Sequence, residues 1–169
     1  LAAHGTPVFP LAVGAKTPAT PNGFKDATTD PAQIETWWAR RPLNVGIATG
    51  PAGLLVIDLD VPKPGKPLPA PWADLPGVRD GADVLAVLAE RASRPLPFDT
   101  RTVLTPSGGT HLYFATEHPL ASTTGTASRG LGPLIDTRGA GGYVVAPPSR
   151  TAAGGYLTVH PGPLAPLPD

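Results

Sequence analysis

The chain contains no cysteine in its 169 residues. That excludes disulfides and every thiolate-bound zinc or iron–sulfur site. It leaves the redox compartment open, because an absence of Cys suits either environment. An excess of charge is also missing: 13 basic and 13 acidic side chains give a formal net charge of zero. A protein that wraps nucleic acid over a broad surface is usually basic, so any nucleic-acid contact here has to be a local patch. No apolar run reaches transmembrane length and no signal-peptide pattern is present, so no membrane partner is expected and a cytoplasmic location is. The chain starts at Leu1 and not at Met, and it reads as a domain excised from a longer protein. Proline, by contrast, is abundant, with 24 residues. It falls between elements and at their ends, which argues against general disorder. The length suits one domain with a real core.

Asp30-Pro31-Ala32-Gln33 marks a helix start, with an Asp N-cap, Pro in the first turn and Gln at the capping-box position. That helix carries Ile34, Trp37 and Trp38 and is expected to stop near Arg41, before Pro42. Asp80 caps a second helix, expected from about Gly81 to Ser93 and ended by Pro95, with Val84, Leu85, Val87 and Leu88 on its apolar face. Strands are expected at 6–11, 44–49, 54–60, 101–105, 110–115, 134–137, 143–146 and 156–160. Residues 61–77, rich in Pro and Gly, read as a long loop with mobility expected. Residues 1–160 are expected to form one domain. The proline-rich stretch 161–169 reads as a poorly ordered tail or linker toward a downstream region. Helices dispersed among several strands give a mixed α/β or α+β sheet protein.

The most informative stretch is Leu54-Leu55-Val56-Ile57-Asp58-Leu59-Asp60. It reads as a buried strand of a sheet covered on both faces. Side chains two apart share a face, so Asp58 and Asp60 point the same way, with Cα atoms about 6.5–7 Å apart. Carboxylates at the end of a core strand are costly unless neutralised, and a divalent cation bound to phosphate does this. The plainer alternative is a strand ending at solvent. Two further motifs follow. Thr105-Pro106-Ser107-Gly108-Gly109-Thr110-His111 precedes the apolar Leu112-Tyr113-Phe114. Its glycines permit a tight turn whose free N–H groups can cradle phosphate, although a hairpin turn with a half-exposed histidine explains the same residues by conformation alone. Leu134-Ile135-Asp136-Thr137-Arg138-Gly139 places Asp136 and Arg138 on one face if extended. Asp136 can then supply a third metal carboxylate and Arg138 a planar fork for a triphosphate. A surface Asp–Arg pair of small energetic weight is the alternative.

An Asp-x-Asp strand, a Ser-Gly-Gly-x-His turn before a strand and an apolar-Asp segment, in that order, resemble the archaeo-eukaryotic primase superfamily. Within it, the chain is similar to the bifunctional DNA primase/polymerase (prim-pol) domain of plasmid, phage and mobile-element replication proteins. Asn44-Val45-Gly46-Ile47-Ala48-Thr49-Gly50 and Gly142-Tyr143-Val144-Val145-Ala146-Pro147-Pro148-Ser149 also look like that family. The resemblance implies an α+β fold with a primase-like catalytic core, a mixed β-sheet with flanking helices and an RRM-like element. It implies Asp58, Asp60 and Asp136 as metal ligands and catalytic residues, and Ser107, Gly108, Gly109 and His111 as the nucleotide-binding turn. Arg138 is added to the nucleotide site on the same-face argument.

The implied reaction is template-directed nucleotidyl transfer at a two-metal site of Mg²⁺ or Mn²⁺, which oxygen ligands favour. The partners are a DNA template and primer, nucleoside triphosphates, and a downstream helical or helicase region of the same polypeptide. Lys16, Lys25, Arg129 and Arg150 are possible template or phosphate contacts, though such residues are singly more often solvated charges. Trp37 and Trp38 could stack on bases, but their amphipathic helix favours core packing for at least one. Relatives with a cysteine-built zinc element depart from this chain. Two other functions share parts of the pattern: a metal-dependent nuclease or phosphodiesterase, distinguished by strand shortening, and a non-catalytic nucleic-acid-binding module, opposed by three intact acidic positions.

Overall fold

The computed structural model describes residues 1–126 and 128–168. In chain order its elements are β1 (Val8–Leu11), α1 (Pro31–Trp38), β2 (Asn44–Ala48), β3 (Leu54–Leu59), α2 (Gly81–Arg91), β4 (Arg101–Leu104), β5 (Thr110–Ala115) and β6 (Ile135–Arg138). They continue with β7 (Tyr143–Ala146), β8 (Arg150–Thr151), β9 (Gly154–Gly155), β10 (Leu157–His160) and β11 (Ala165–Pro166). The architecture is mixed, with few helices and largely antiparallel sheets, as an α+β fold requires.

Three strands in the order β1-β2-β7 form one sheet; β10-β4-β5-β3-β6 form the larger one, with β11 added alongside β5. β3 is interior to the larger sheet, and its residues alternate between two cores as a period of two demands. Leu54 and Val56 join Val103, Tyr113, Phe9, Leu11, Ile47 and Val145 in a cluster shared with the smaller sheet. Ile57 and Leu59 face the other way, against Leu112, Phe114, Ile135 and the α2 residues Val84 and Leu85. The expectation of a strand covered on both faces is met.

Several boundaries differ from the sequence reading, each for a local reason. α1 ends at Trp38 and not near Arg41; the chain folds back so that the Trp38 indole N–H donates to Leu43 O at 2.8 Å. Asp30 caps the helix by accepting from Ala32 N–H, but no capping box forms with Gln33, because the Asp30 N–H donates to Thr28 Oγ1. α2 is capped as expected, Asp80 accepting from the N–H groups of Ala82 and Asp83. It stops at Arg91, before Pro95, because Ser93 takes a left-handed φ of 53° while the Ser93 and Arg94 N–H groups close onto Glu90 and Ala89. Leu134 also has a left-handed φ, 61°, so β6 starts one residue later than expected.

The loop 61–77 is anchored where mobility was expected. Leu68 is buried in the α2-side cluster, Trp72 packs against it, and the Arg91 guanidinium sits 5.3 Å from the Trp72 ring centre. The tail expected to be poorly ordered instead returns to the sheet. Ala165 and Pro166 pair in parallel with Phe114 and Ala115, Leu167 N–H donates to Ala115 O, and Ala165 and Leu167 pack on the same cluster. The two indoles of α1 contact each other edge-on and pack against the core shared by both sheets. Among the described residues no helix is long and apolar enough to cross a membrane.

Candidate metal and nucleotide site

The site forms where β3 runs between β5 and β6. Register places Asp58 opposite His111 on one side and opposite Asp136 on the other. Residues opposed in an antiparallel sheet share a face, so these three side chains form one row across three strands. The adjacent row holds Tyr113, Val56 and Arg138. Asp60 lies just past the end of β3, on the face of Asp58. Oxygens of Asp58, Asp60 and Asp136 lie within 4.8 Å of one another.

Backbone contacts hold Asp60 in place. Its N–H donates to Leu134 O at 2.8 Å and its carbonyl accepts from Gly81 N–H at 2.9 Å, so the residue before β6 and the first residue of α2 both hold it. Gly81 is required by this approach, since a Cβ there would lie 2.3 Å from Leu134 O and 3.1 Å from Asp60 N and O. Gly109, at the end of the Ser-Gly-Gly turn, comes equally close from the hairpin side: a Cβ would meet Leu59 O at 2.5 Å and Asp60 Cα at 3.4 Å.

Opposed like charges destabilise a sheet, and cations relieve them here. Arg138 Nη2 donates to Asp136 Oδ2 at 2.7 Å and lies 3.6 Å from Asp58 Oδ2. The same-face expectation for Asp136 and Arg138 is therefore met, in a partly buried pair. Gly125 N–H donates to Asp136 Oδ1 at 2.9 Å. His111 Nε2 lies 3.4 Å from Asp58 Oδ1. Burial pushes the Asp58 carboxyl up, but the adjacent His111 ring, and then Arg138 and Lys16, push it down further, to below its ordinary value. Asp60 behaves in the opposite way. Burial raises it most, the charges of Asp58 and Asp136 add to this, and Lys16 and Lys63 only partly offset the rise. The negative charges of Asp58 and Asp136 are thus only partly offset at Asp60.

His111 is buried, at 5 % exposure, and not half-exposed as a plain hairpin histidine would be. Its Nδ1 is buried with no partner among the described residues. Asp58, His111 and Arg138 open on a cavity of about 330 Å³, whose opposite bank carries Lys16, Phe24 and Tyr143, with Tyr156 beside His111. Ser107 and Gly108 do not line this cavity. The Ser107 hydroxyl pairs with Thr105 Oγ1 at 3.1 Å, and the Gly108 N–H, expected to be free, donates to Thr105 O. Lys25 and Arg150 are likewise absent from the cavity wall, while Arg129 lies on a neighbouring groove that Arg138 also lines. The aromatic wall of Phe24, Tyr143 and Tyr156 was not singled out from the sequence. The only signal for it was Tyr143 following Gly141-Gly142 shortly after the Asp136 motif.

The residues present fit a divalent cation. The donors are three carboxylates with oxygens within 4.8 Å of one another, hard oxygen ligands of the kind Mg²⁺ and Mn²⁺ take, and their mutual repulsion, which helps raise the Asp60 carboxyl, is relieved by a bound cation. Thiolate metals are excluded by composition. Residues 1–169 match the family described as bifunctional DNA primase/polymerase, N-terminal. No curated protein matches the chain.

Proposed function

Because the chain belongs to the bifunctional DNA primase/polymerase N-terminal family, we propose that it is a catalytic domain for template-directed nucleotidyl transfer, serving replication of a plasmid, phage or mobile element. Membership suggests DNA primase/polymerase activity in general and DNA and nucleotide substrates. The observation that carries the finer reading is the convergence of Asp58, Asp60 and Asp136, oxygens within 4.8 Å, with Asp58 on the wall of a cavity that also presents His111 and Arg138. The larger antiparallel sheet, with α2 on one face, is compatible with a primase-like core and its RRM-like element.

In this proposal Asp58, Asp60 and Asp136 hold Mg²⁺ or Mn²⁺ at a two-metal site. When bound, such ions make a 3′-hydroxyl more acidic and stabilise the charge of departing pyrophosphate. The chain's own residues do the rest. His111 and Arg138 keep Asp58 ionised, so that it is a ligand and not a proton carrier. Gly125 N–H fixes the orientation of Asp136. Arg138, with Nη2 held by Asp136, presents the remaining N–H donors of a guanidinium that stays charged to phosphate oxygens. The Ser107-Gly108-Gly109 turn closes the site at the Asp60 end. A DNA template with its primer occupies the open side, and a helical or helicase region acts downstream in the same polypeptide.

The test is incubation with primed template, each nucleotide set, and Mg²⁺ or Mn²⁺, reading product length. Nucleotide-dependent lengthening is expected. Shortening of the strand would reassign the carboxylates to phosphodiester hydrolysis, and an unchanged primer would leave a binding module.

A further inference from the structure

The cavity beside the carboxylates has two banks built from different sheets. Asp58, His111 and Arg138 belong to the larger sheet, and Lys16 reaches in from the loop that follows β1 of the smaller one. This loop is tied down around Lys16. Ala12 N–H donates to Thr17 O at 2.8 Å, Asn44 Nδ2 donates to Ala15 O at 2.9 Å, and Tyr143 Oη donates to Lys16 O at 3.1 Å. The backbone of Lys16 is therefore fixed relative to β2 and β7, while its side chain extends over Tyr156, with Nζ 5.9 Å from the ring centre. Its charge reaches both Asp58 and Asp60.

The two cations of the cavity differ in commitment. Arg138 is already engaged with Asp136 and lies close to Asp58. Among the described residues Lys16 has no carboxylate within 4.0 Å, so it is the cation not already spent on the protein's own acids. A nucleoside triphosphate that chelates a single divalent ion still carries excess negative charge, and a lysine ammonium is a usual point-charge ligand for it. We propose that Lys16 is a triphosphate-binding residue that grips the phosphate tail of the incoming nucleotide from the bank opposite the carboxylates. This rests on the polymerase reading and deepens it.

The experiment compares wild type with Lys16→Gln and Lys16→Arg by calorimetric titration of dATP and of dAMP in Mg²⁺, without DNA. Thermal melting and Mn²⁺ binding are measured on the same proteins. Lys16→Gln is expected to weaken dATP binding about tenfold or more, to change dAMP binding less than about twofold, and to leave Mn²⁺ affinity at or above that of wild type, because a positive charge near Asp58 and Asp60 is removed. Lys16→Arg should restore most of the dATP affinity. Equal losses for dATP and dAMP, or a dATP affinity unchanged in Lys16→Gln, would overturn the assignment and leave the polymerase reading intact. If wild type itself failed to bind dATP in Mg²⁺, the polymerase reading would fall and the Lys16 role with it.

Discussion

Replacing Gly81 by Ala sets two physical effects of opposite sign against each other. Helix propensity favours Ala over Gly by up to about 1 kcal/mol, which predicts a modest gain. The packing predicts a loss. The new Cβ would stand 2.3 Å from Leu134 O, where an ordinary C···O contact is about 3.3–3.6 Å, so α2 must separate by about 1 Å from Leu134, whose carbonyl holds the Asp60 N–H. All the obstructing atoms are backbone, from Leu134 and Asp60, and none can rotate away. Overpacking of this kind costs about 1–3 kcal/mol, and the Gly81–Asp60 hydrogen bond adds about 1 kcal/mol if it breaks. The loss wins, by about 1–3 kcal/mol, which at about 2–4 °C per kcal/mol for a chain of this size lowers Tm by roughly 2–12 °C. The effect on the reaction should be larger than the effect on folding, since displacing a catalytic group by about 1 Å can cost about 100-fold in rate. Thermal unfolding and single-turnover primer extension, measured well below Tm, separate the two. Gly5→Ala is the control: its φ of +79° makes Ala strained at a cost of about 1–2 kcal/mol, but no heavy atom lies within 4 Å of the new Cβ and no site residue is near in sequence. Gly5→Ala should melt lower and extend normally. A Gly81→Ala protein that melted above wild type, or extended a primer at the wild-type rate, would refute the argument that Asp60 is held by close approach of α2.

Asp60→Asn should abolish extension yet melt higher than wild type at neutral pH without divalent ions. The Asp60 pKa is raised above its unfolded 3.8, so ionisation costs stability as pH rises through that interval, and the amide removes the cost. Asp58→Asn should also abolish extension but melt lower, because a lowered pKa contributes stability above the unfolded value that is lost as pH falls through the folded one; melting curves across pH distinguish the two signs. Chelator should stop extension without unfolding the chain, and added Mg²⁺ or Mn²⁺ should restore it; circular dichroism before and after chelation checks the fold. His111→Ala and Arg138→Ala should each weaken nucleoside triphosphate binding about tenfold in the presence of metal, read by titration, with binding of primed template alone little changed.

The acidic site was legible in the sequence because a strand's period of two is rigid. Once 54–59 is a strand, Asp58 and Asp60 must share a face, and the same rule pairs Asp136 with Arg138. What no period encodes is which strands become neighbours. The opposition of Asp58 to both His111 and Asp136 is a product of strand order, and burial of His111 follows from it. Lys16 could be named as a basic residue but not placed, since its position depends on a loop fastened by Asn44 and Tyr143, 28 and 127 residues further on. The tail misled for a related reason: prolines signal irregular backbone, yet two residues sufficed to pair with β5, and Leu167 to anchor them.

The double-sided burial of β3 divides the labour of the molecule. Each of its residues either packs into one of the two cores, completes the sheet or carries a carboxylate, so the strand has no position at which change is free. The far bank of the cavity is different, since the loop after β1 and the 3₁₀ turn at Gly23–Asp26 contain no fully buried residue. Chemistry and selectivity therefore sit on parts of unequal mutability. A descendant of this chain can re-shape what the cleft accepts by altering Phe24 or its neighbours while the carboxylates stay in place. The converse route, keeping the grip on substrate while changing the reaction, would have to pass through the hydrophobic interior.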